Sequence, residues 1–284
     1  KEPGLRLVKR MSVEHSLPLL HDSVEWYSPC QFKAGRFDYA YWMKDLLNRK
    51  LIDGSFSVIA ISRYLEDYFV GRGLKTTRIP VIMDATAFRP VIRGSSKVKL
   101  VYAGSPAKKD YLAECVKGFL DLDERRRTLF SFDIYGVSAD GLKSVMGGGD
   151  IPAEMRAHGR VSRNEVLTAL AGADFSMLLR PPEERYAKAG FPTKVVEGMM
   201  SGCAMLCNVT SDLGEYLVDG ENSVLVGGAG ASDVTKSLDR IAAMGRERIE
   251  AIKASARETA VRCFDYRRYV DQLGGFIDEV LSLQ

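Results

Sequence analysis

The stretch Phe175–Cys203, FSMLLRPPEERYAKAGFPTKVVEGMMSGC, decides how this chain is read. Phe175–Leu179 is a short apolar run of the kind that forms a buried parallel strand. A polar, proline-bearing loop follows, and a helix is expected from Thr193 to Ser201, with Thr193 as its cap. The free backbone amides of Thr193, Lys194 and Val195 would then point at the mouth of a sheet. Helix N-termini bind phosphate through such amides and the helix dipole, and Lys194 would add charge. Glu197 falls about one turn in, where a carboxylate can accept hydrogen bonds from vicinal hydroxyls such as those of ribose. The plainer reading of Glu197 is a first-turn glutamate that complements the dipole.

Outward from this stretch the same pattern repeats. Strands are expected at Lys99–Ala103, Phe132–Tyr135, Ala173–Leu179, Ala204–Asn208 and Ser223–Val226, with a shorter one ending near Val161. Helical patterns such as Tyr111–Leu122 and Arg163–Ala171 lie between them, so the units are βαβ and the sheet is parallel. Earlier in the chain, Val58–Ile61 reads as a strand, and Ser62 as the cap of a helix ended by Gly71 and Gly73. The run Ile79–Met83 leads through Asp84 to Phe88 and Pro90, and that segment, with Gly94-Ser95-Ser96 after it, marks a domain boundary. Ligands of such sheets bind beyond the carboxyl ends of the strands.

Two further strand ends carry candidate ligand contacts. In Tyr102–Lys109, YAGSPAKK, Gly104 allows close approach to the backbone and Ser105 adds a hydroxyl. Lys108 and Lys109 add positive charge suited to a phosphate. A strand that ends in Gly-Ser before a turn is also commonplace, and no G-x-G-x-x-G fingerprint is present. In His158–Val161, after the glycines 147–149, a histidine and an arginine stand where a nucleotide base would be faced. Solvated loop residues are the competing reading there.

Composition narrows the class. With 284 residues, 46% hydrophobic and 27% charged, the chain suits a globular α/β protein of two domains. A net charge of +3 gives no electrostatic case for nucleic acid. The five cysteines (Cys30, Cys115, Cys203, Cys207, Cys263) contain no C-x-x-C pair and the three histidines are not grouped with them. No metal site or disulfide framework is expected, and a reducing, cytoplasmic setting fits, with contact at a membrane surface left open. Cys203 and Cys207 flank Ala204–Leu206 and read as core. No run reaches the roughly 20 apolar residues of a membrane span, and no apolar segment after Lys1 suggests a signal peptide.

Taken together and in order, these segments resemble the retaining glycosyltransferases of family 4 (group 1), which have the GT-B fold of two Rossmann-like domains. The matching stretch runs from about Val58 to the C-terminus. Within it IPVIMDATAFRP (Ile79–Pro90) resembles the interdomain connection, and FPTKVVEGMMSG (Phe191–Gly202) resembles the donor-site helix. DLGEYLVDGENSVLV (Asp212–Val226) resembles the stretch that follows. The resemblance implies three parts. Residues 1–84 are an incomplete acceptor-side domain, since a full one needs about 150 residues. Residues 85–264 are the donor domain, and residues 265–284 are a helix (Arg268–Leu281) that crosses back. Trp26 and Trp42, in the aromatic-rich beginning, read as packing residues.

By this resemblance the substrate is a nucleoside-diphosphate sugar, UDP-linked before GDP-linked, and the acceptor a glycan, a lipid carrier or a protein. Gly104, Ser105 and Lys109 would cradle the diphosphate, and Lys194 with the amides of Thr193 and Val195 would neutralise it as it leaves. Arg160 and Val161 would meet the base, and Glu197 the ribose. No cofactor or metal is implied, because preorganised cations and amides can stabilise the leaving group. One departure stands out. The family often carries two glutamates with seven residues between them; the second corresponds to Glu197, but the first position is Ala189. Sugar contacts would fall to Lys188 and the backbone of Gly190 and Phe191. A nucleotide-sugar-binding subunit with weak transfer is therefore the alternative. A nucleotide-sugar epimerase lacks support from any acid/base cluster.

Overall fold

The computed structural model of the chain describes residues 2–91, 96–104 and 109–282. Ser105, Lys108 and, of the expected boundary segment, Gly94 and Ser95 lie outside the described residues. The chain divides into two compact units, each with its own parallel sheet.

The first unit comprises Lys1–Ile82, Glu183–Phe191 and Tyr266–Gln284. Its sheet has three parallel strands in the order β1 (Leu19–Ser23), β2 (Phe56–Ala60) and β3 (Thr76–Arg78). Ser62 caps the helix Arg63–Val70 through its hydroxyl, which accepts the Leu65 amide, and Gly71 stands at the other end. Leu65 and Phe69 of that helix are fully buried and pack with Val58 and Ala60 of β2 and with Trp26. The run Ile79–Met83 forms no strand; its last bond to β2 is from the Ile79 amide to the Ala60 carbonyl at 3.0 Å, just before Pro80, and Met83 makes an isolated bridge to Asp265. Trp26 is buried and donates its indole N–H to Asp45 at 2.8 Å, whereas Trp42 is exposed, against its expected packing role.

The second unit comprises Met83–Pro182 and Pro192–Asp265. Its strands are β4 (Val98–Ala103), β5 (Phe130–Tyr135), β6 (Met155–Gly159), β7 (Phe175–Leu178), β8 (Ala204–Cys207) and β9 (Ser223–Leu225). All are parallel, in the order β6-β5-β4-β7-β8-β9. Both faces are covered, so β7 and β8 are buried along their whole length, as their unbroken apolar composition requires. The order reverses between β4 and β7, and the crevice of such a sheet opens beyond the carboxyl ends there.

The opposite end of the sheet is tied down by a buried acid. Asp174, just before β7, accepts from Arg246 at 2.6 and 3.1 Å, from Lys253 at 3.1 Å and from the Lys99 amide at 2.9 Å. Burial alone would raise its pKa, but the hydrogen bonds from Arg246 and Lys99 outweigh it and hold the carboxyl below its usual value. Arginine, lysine and aspartate together anchor the helix Arg246–Phe264 against the strand. Another close fit joins the helices Leu112–Leu120 and Ala231–Ala242. A Cβ at Gly118 would come within 2.6 Å of the Ala231 carbonyl and of Val234.

Candidate active site

A cavity of about 480 Å³ opens at the carboxyl ends of β4, β5 and β6, beside the reversal point. Ala103 and Gly104 from β4, Tyr135 and Gly136 from β5, and Arg160 and Val161 after β6 form one side. The helices Arg163–Ala171 and Thr193–Met200 contribute Arg163, Lys194 and Glu197. Its two ends differ in construction.

At the Gly104 end the organising group is Asp110. Its carboxylate is 5% exposed and accepts from Arg180 Nε at 3.2 Å, from the Lys194 ammonium and from the Tyr102 hydroxyl at 3.5 Å. Burial, and then the nearby Asp110 charge, drive the Tyr102 phenol well above its ordinary pKa, so it stays a neutral donor. The Lys194 ammonium lies against the backbone of Gly104, where any side chain at that position would overlap it. Gly104 is needed here for the space beside a cation. Two cations on one carboxylate leave a net positive charge beside a bare backbone turn, an arrangement that suits an anion.

At the opposite end Glu197 accepts from Arg163, with Nη2 at 2.8 Å and Nε at 3.2 Å, both on Oε1. Glu197 is 19% exposed and Arg163 64%. Ser162 caps the arginine's helix and forms a capping box with Glu165, which fixes where Arg163 leaves the backbone. Tyr135 also lines the cavity, and the His158 ring stacks on it at 4.2 Å between centroids.

Of the residues expected from sequence, Gly104, Arg160, Val161, Lys194 and Glu197 line this one cavity. Several others do not. His158 bonds Asp133 at 2.6 Å and lines a second cavity, which shares Tyr135 and Val161 with the first. Lys109 precedes the helix Leu112–Leu120 and is absent from the cavity wall. Thr193 opens its helix but does not cap it. Pro192 holds the cap position, and its carbonyl accepts the Val195 amide at 3.0 Å, so that amide is not free. The Val195 side chain is fully buried. The amides of Thr193 and Lys194 have no partner among the described residues. Gly190 and Phe191 belong to the first unit, both buried, and Lys188 is exposed there. Ala189 is fully buried in the same apolar cluster as Trp26, Val58 and Leu65. Its carbonyl accepts the Ser62 hydroxyl at 2.7 Å.

The sequence reading missed Asp110, Arg180, Tyr102, Tyr135 and Arg163. Arg163 did leave a signal, since an arginine in the first turn of a helix stands at the positive end of the dipole and calls for an anionic partner. Asp110 left none, because an acid after two lysines reads as solvated.

With this geometry in place, residues 117–274 match the family described as glycosyl transferase-like, more than half of the chain. The chain belongs to this family. The transferase-like chain also aligns with solved structures. HepE from Anabaena, solved in complex with UDP and glucose, aligns with a TM-score of 0.72 at 14% identity, over 98% of this chain and 76% of that one. Sucrose-phosphate synthase from Thermosynechococcus elongatus aligns with a TM-score of 0.74 at 14% identity, over 99% and 78%. The pneumococcal O-GlcNAc transferase GtfA, in complex with UDP and GlcNAc, aligns with a TM-score of 0.64 at 17% identity, over 95% and 54%. At these identities the likeness establishes the fold, which is that of the GT-B glycosyltransferases. No curated protein sequence matches the chain. Among the described residues no helix is long and apolar enough to cross a membrane, and no cluster of three or more His, Cys, Asp or Glu side chains is arranged to hold a metal ion.

Proposed function

We propose that the protein transfers a sugar from a nucleoside-diphosphate sugar, UDP-linked in preference to GDP-linked, to a glycan, lipid-carrier or protein acceptor. Transfer proceeds with retention of configuration and without a metal ion, as the family resemblance implies, in the cytoplasm or at a membrane surface. The observation that carries this reading is a single cavity with a buried, net-positive cluster at one end and a carboxylate at the other. That is the charge order of a nucleoside diphosphate: anionic phosphates at the Gly104–Lys194 end, vicinal ribose hydroxyls at Glu197, and the base between Tyr135, Arg160 and Val161. Structures of the same fold hold UDP, and one of them UDP with glucose, which supports the choice of nucleotide.

In this reading the chain's residues act mainly on the leaving group. Breaking the bond between the anomeric carbon and the phosphate oxygen leaves the electron pair on that oxygen and adds one negative charge to the departing terminal phosphate. Lys194, fixed by Asp110, and the amides of Thr193 and Lys194 receive that charge in place, without reorganisation at the moment of reaction. Removing one such donor from a preorganised site costs about a hundredfold in rate.

A second reading, a nucleotide-sugar-binding subunit with weak transfer, draws on Ala189. Where the family commonly places a sugar-contacting glutamate, this chain has a methyl group inside an apolar core. Calorimetric titration of the chain with UDP, GDP, ADP and their sugar conjugates tests the site. Selective binding of one uridine or guanosine series is the expected result, and no binding by any overturns the donor-site assignment. Slow release of UDP from a bound UDP-sugar then favours the enzyme, and its absence the binding subunit.

A further inference from the structure

The Arg163–Glu197 pair is oddly built for a structural salt bridge. Arginine and carboxylate can pair through two parallel hydrogen bonds, one to each oxygen. Here both arginine donors, Nη2 and Nε, fall on Oε1 alone. Among the described residues Oε2 of Glu197 has no partner, although the carboxylate is largely shielded from water. A carboxylate offers about four acceptor positions, so half of this one is unused and lies on the cavity wall. The arginine itself is mostly exposed, and exposed ion pairs contribute little to stability. It also stands in the first turn of its helix, where the dipole disfavours a cation. Its placement is therefore costly locally and unexplained by folding.

We propose that Arg163 is a positioning residue for ribose: by holding Oε1 it turns Oε2 to the vicinal hydroxyls of the nucleotide. This rests on the nucleotide reading above. It adds that discrimination between ribose and deoxyribose is set by a residue acting through Glu197. Without Arg163 the carboxylate is free to rotate and to be hydrated, and a hydroxyl gains less from finding it.

The test is calorimetry with UDP, 2′-deoxy-UDP, GDP and 2′-deoxy-GDP on the parent chain and on Arg163→Ala and Arg163→Lys. The parent is expected to prefer the ribo form by about ten- to a hundredfold, as for one hydrogen bond to a charged acceptor. In Arg163→Ala that ratio should fall to about threefold or less, with the melting temperature unchanged. Arg163→Lys, which can still hold Oε1 through one contact, should retain most of the ratio. A purely structural role would leave the ratio alone. An unchanged ratio in Arg163→Ala, whatever the absolute affinity, overturns the inference and leaves the nucleotide site standing. A parent that binds ribo and deoxy forms equally, or binds none, overturns the ribose role of Glu197 and this inference with it.

Discussion

The two ends of the cavity hold a charged side chain in place in opposite ways. Asp110 is buried and shared by Arg180, Lys194 and Tyr102, so its partners sit in a shielded network. Glu197 is held by one arginine that is mostly in solvent. Loss of an acid from a buried network strands its cations, whereas loss of one partner of an exposed pair merely frees the other. Loss of Asp110 should therefore cost stability as well as ligand binding, and loss of Arg163 should cost ligand binding alone.

The most severe test of that contrast is Asp110→Asn. It leaves Lys194 and Arg180 without their counter-charge and should destabilise the fold by about 3 kcal/mol in chemical denaturation. A loss below about 1 kcal/mol would put Asp110 on a par with a surface acid and break the comparison. Next is Lys194→Ala, which should weaken UDP binding by about a hundredfold while the affinity for uridine, which lacks phosphate, changes little. Equal losses for both ligands would move Lys194 away from the phosphates.

Paired glycine substitutions sharpen the comparison further. At Gly118 an added methyl meets a backbone carbonyl and Val234, neither able to yield, so Gly118→Ala should cost about 2 kcal/mol of stability. At Gly104 it meets the movable end of Lys194. Gly104→Ala should therefore leave stability within about 1 kcal/mol of the parent. It should weaken UDP binding by about tenfold, seen calorimetrically, by displacing the ammonium. Smallest of all, Arg163→Ala should change denaturation stability by no more than about 0.5 kcal/mol, its effect being confined to the ligand.

The cysteines give an independent check on burial. Burial pushes the Cys207 thiol up to about 12 and raises Cys115 and Cys203 as well. In the native protein at pH 8, alkylation should reach the exposed Cys30 and, more slowly, Cys263, and leave those three unmodified. Mass spectrometry after a timed exposure reads this directly.

Much of the fold could be read from local pattern. Apolar runs such as Phe175–Leu179 and Ala204–Asn208 announce buried parallel strands because both of their faces must be dry. The helix Arg163–Ala171 begins and ends where its cap and its final glycine require. Where local pattern failed, tertiary context had overridden it. Ile79–Met83 has strand composition but runs past its partner, and in β1 the residue types Leu-Leu-His-Asp-Ser do not alternate although their exposure does.

The sequence by itself determined a parallel α/β chain with a helix opening at Thr193, and it contained the motif resemblance that points to a glycosyltransferase. Spacing put Lys194 and Glu197 one helical turn apart on one helix, and the family resemblance, not the spacing, suggested a phosphate for one and a ribose for the other. Only the tertiary structure decided what controls them. Asp110 is 84 residues from Lys194 and 70 from Arg180, and Arg163 is 34 from Glu197. Such pairs arise because the strand order brings the ends of β4, β6 and β7 together, and no periodicity within a segment encodes that order. The same holds for Ala189. Its neighbours in sequence suggested a sugar site, but the fold seats it in an apolar cluster of the first unit, where a buried methyl group is more stable than a buried charge.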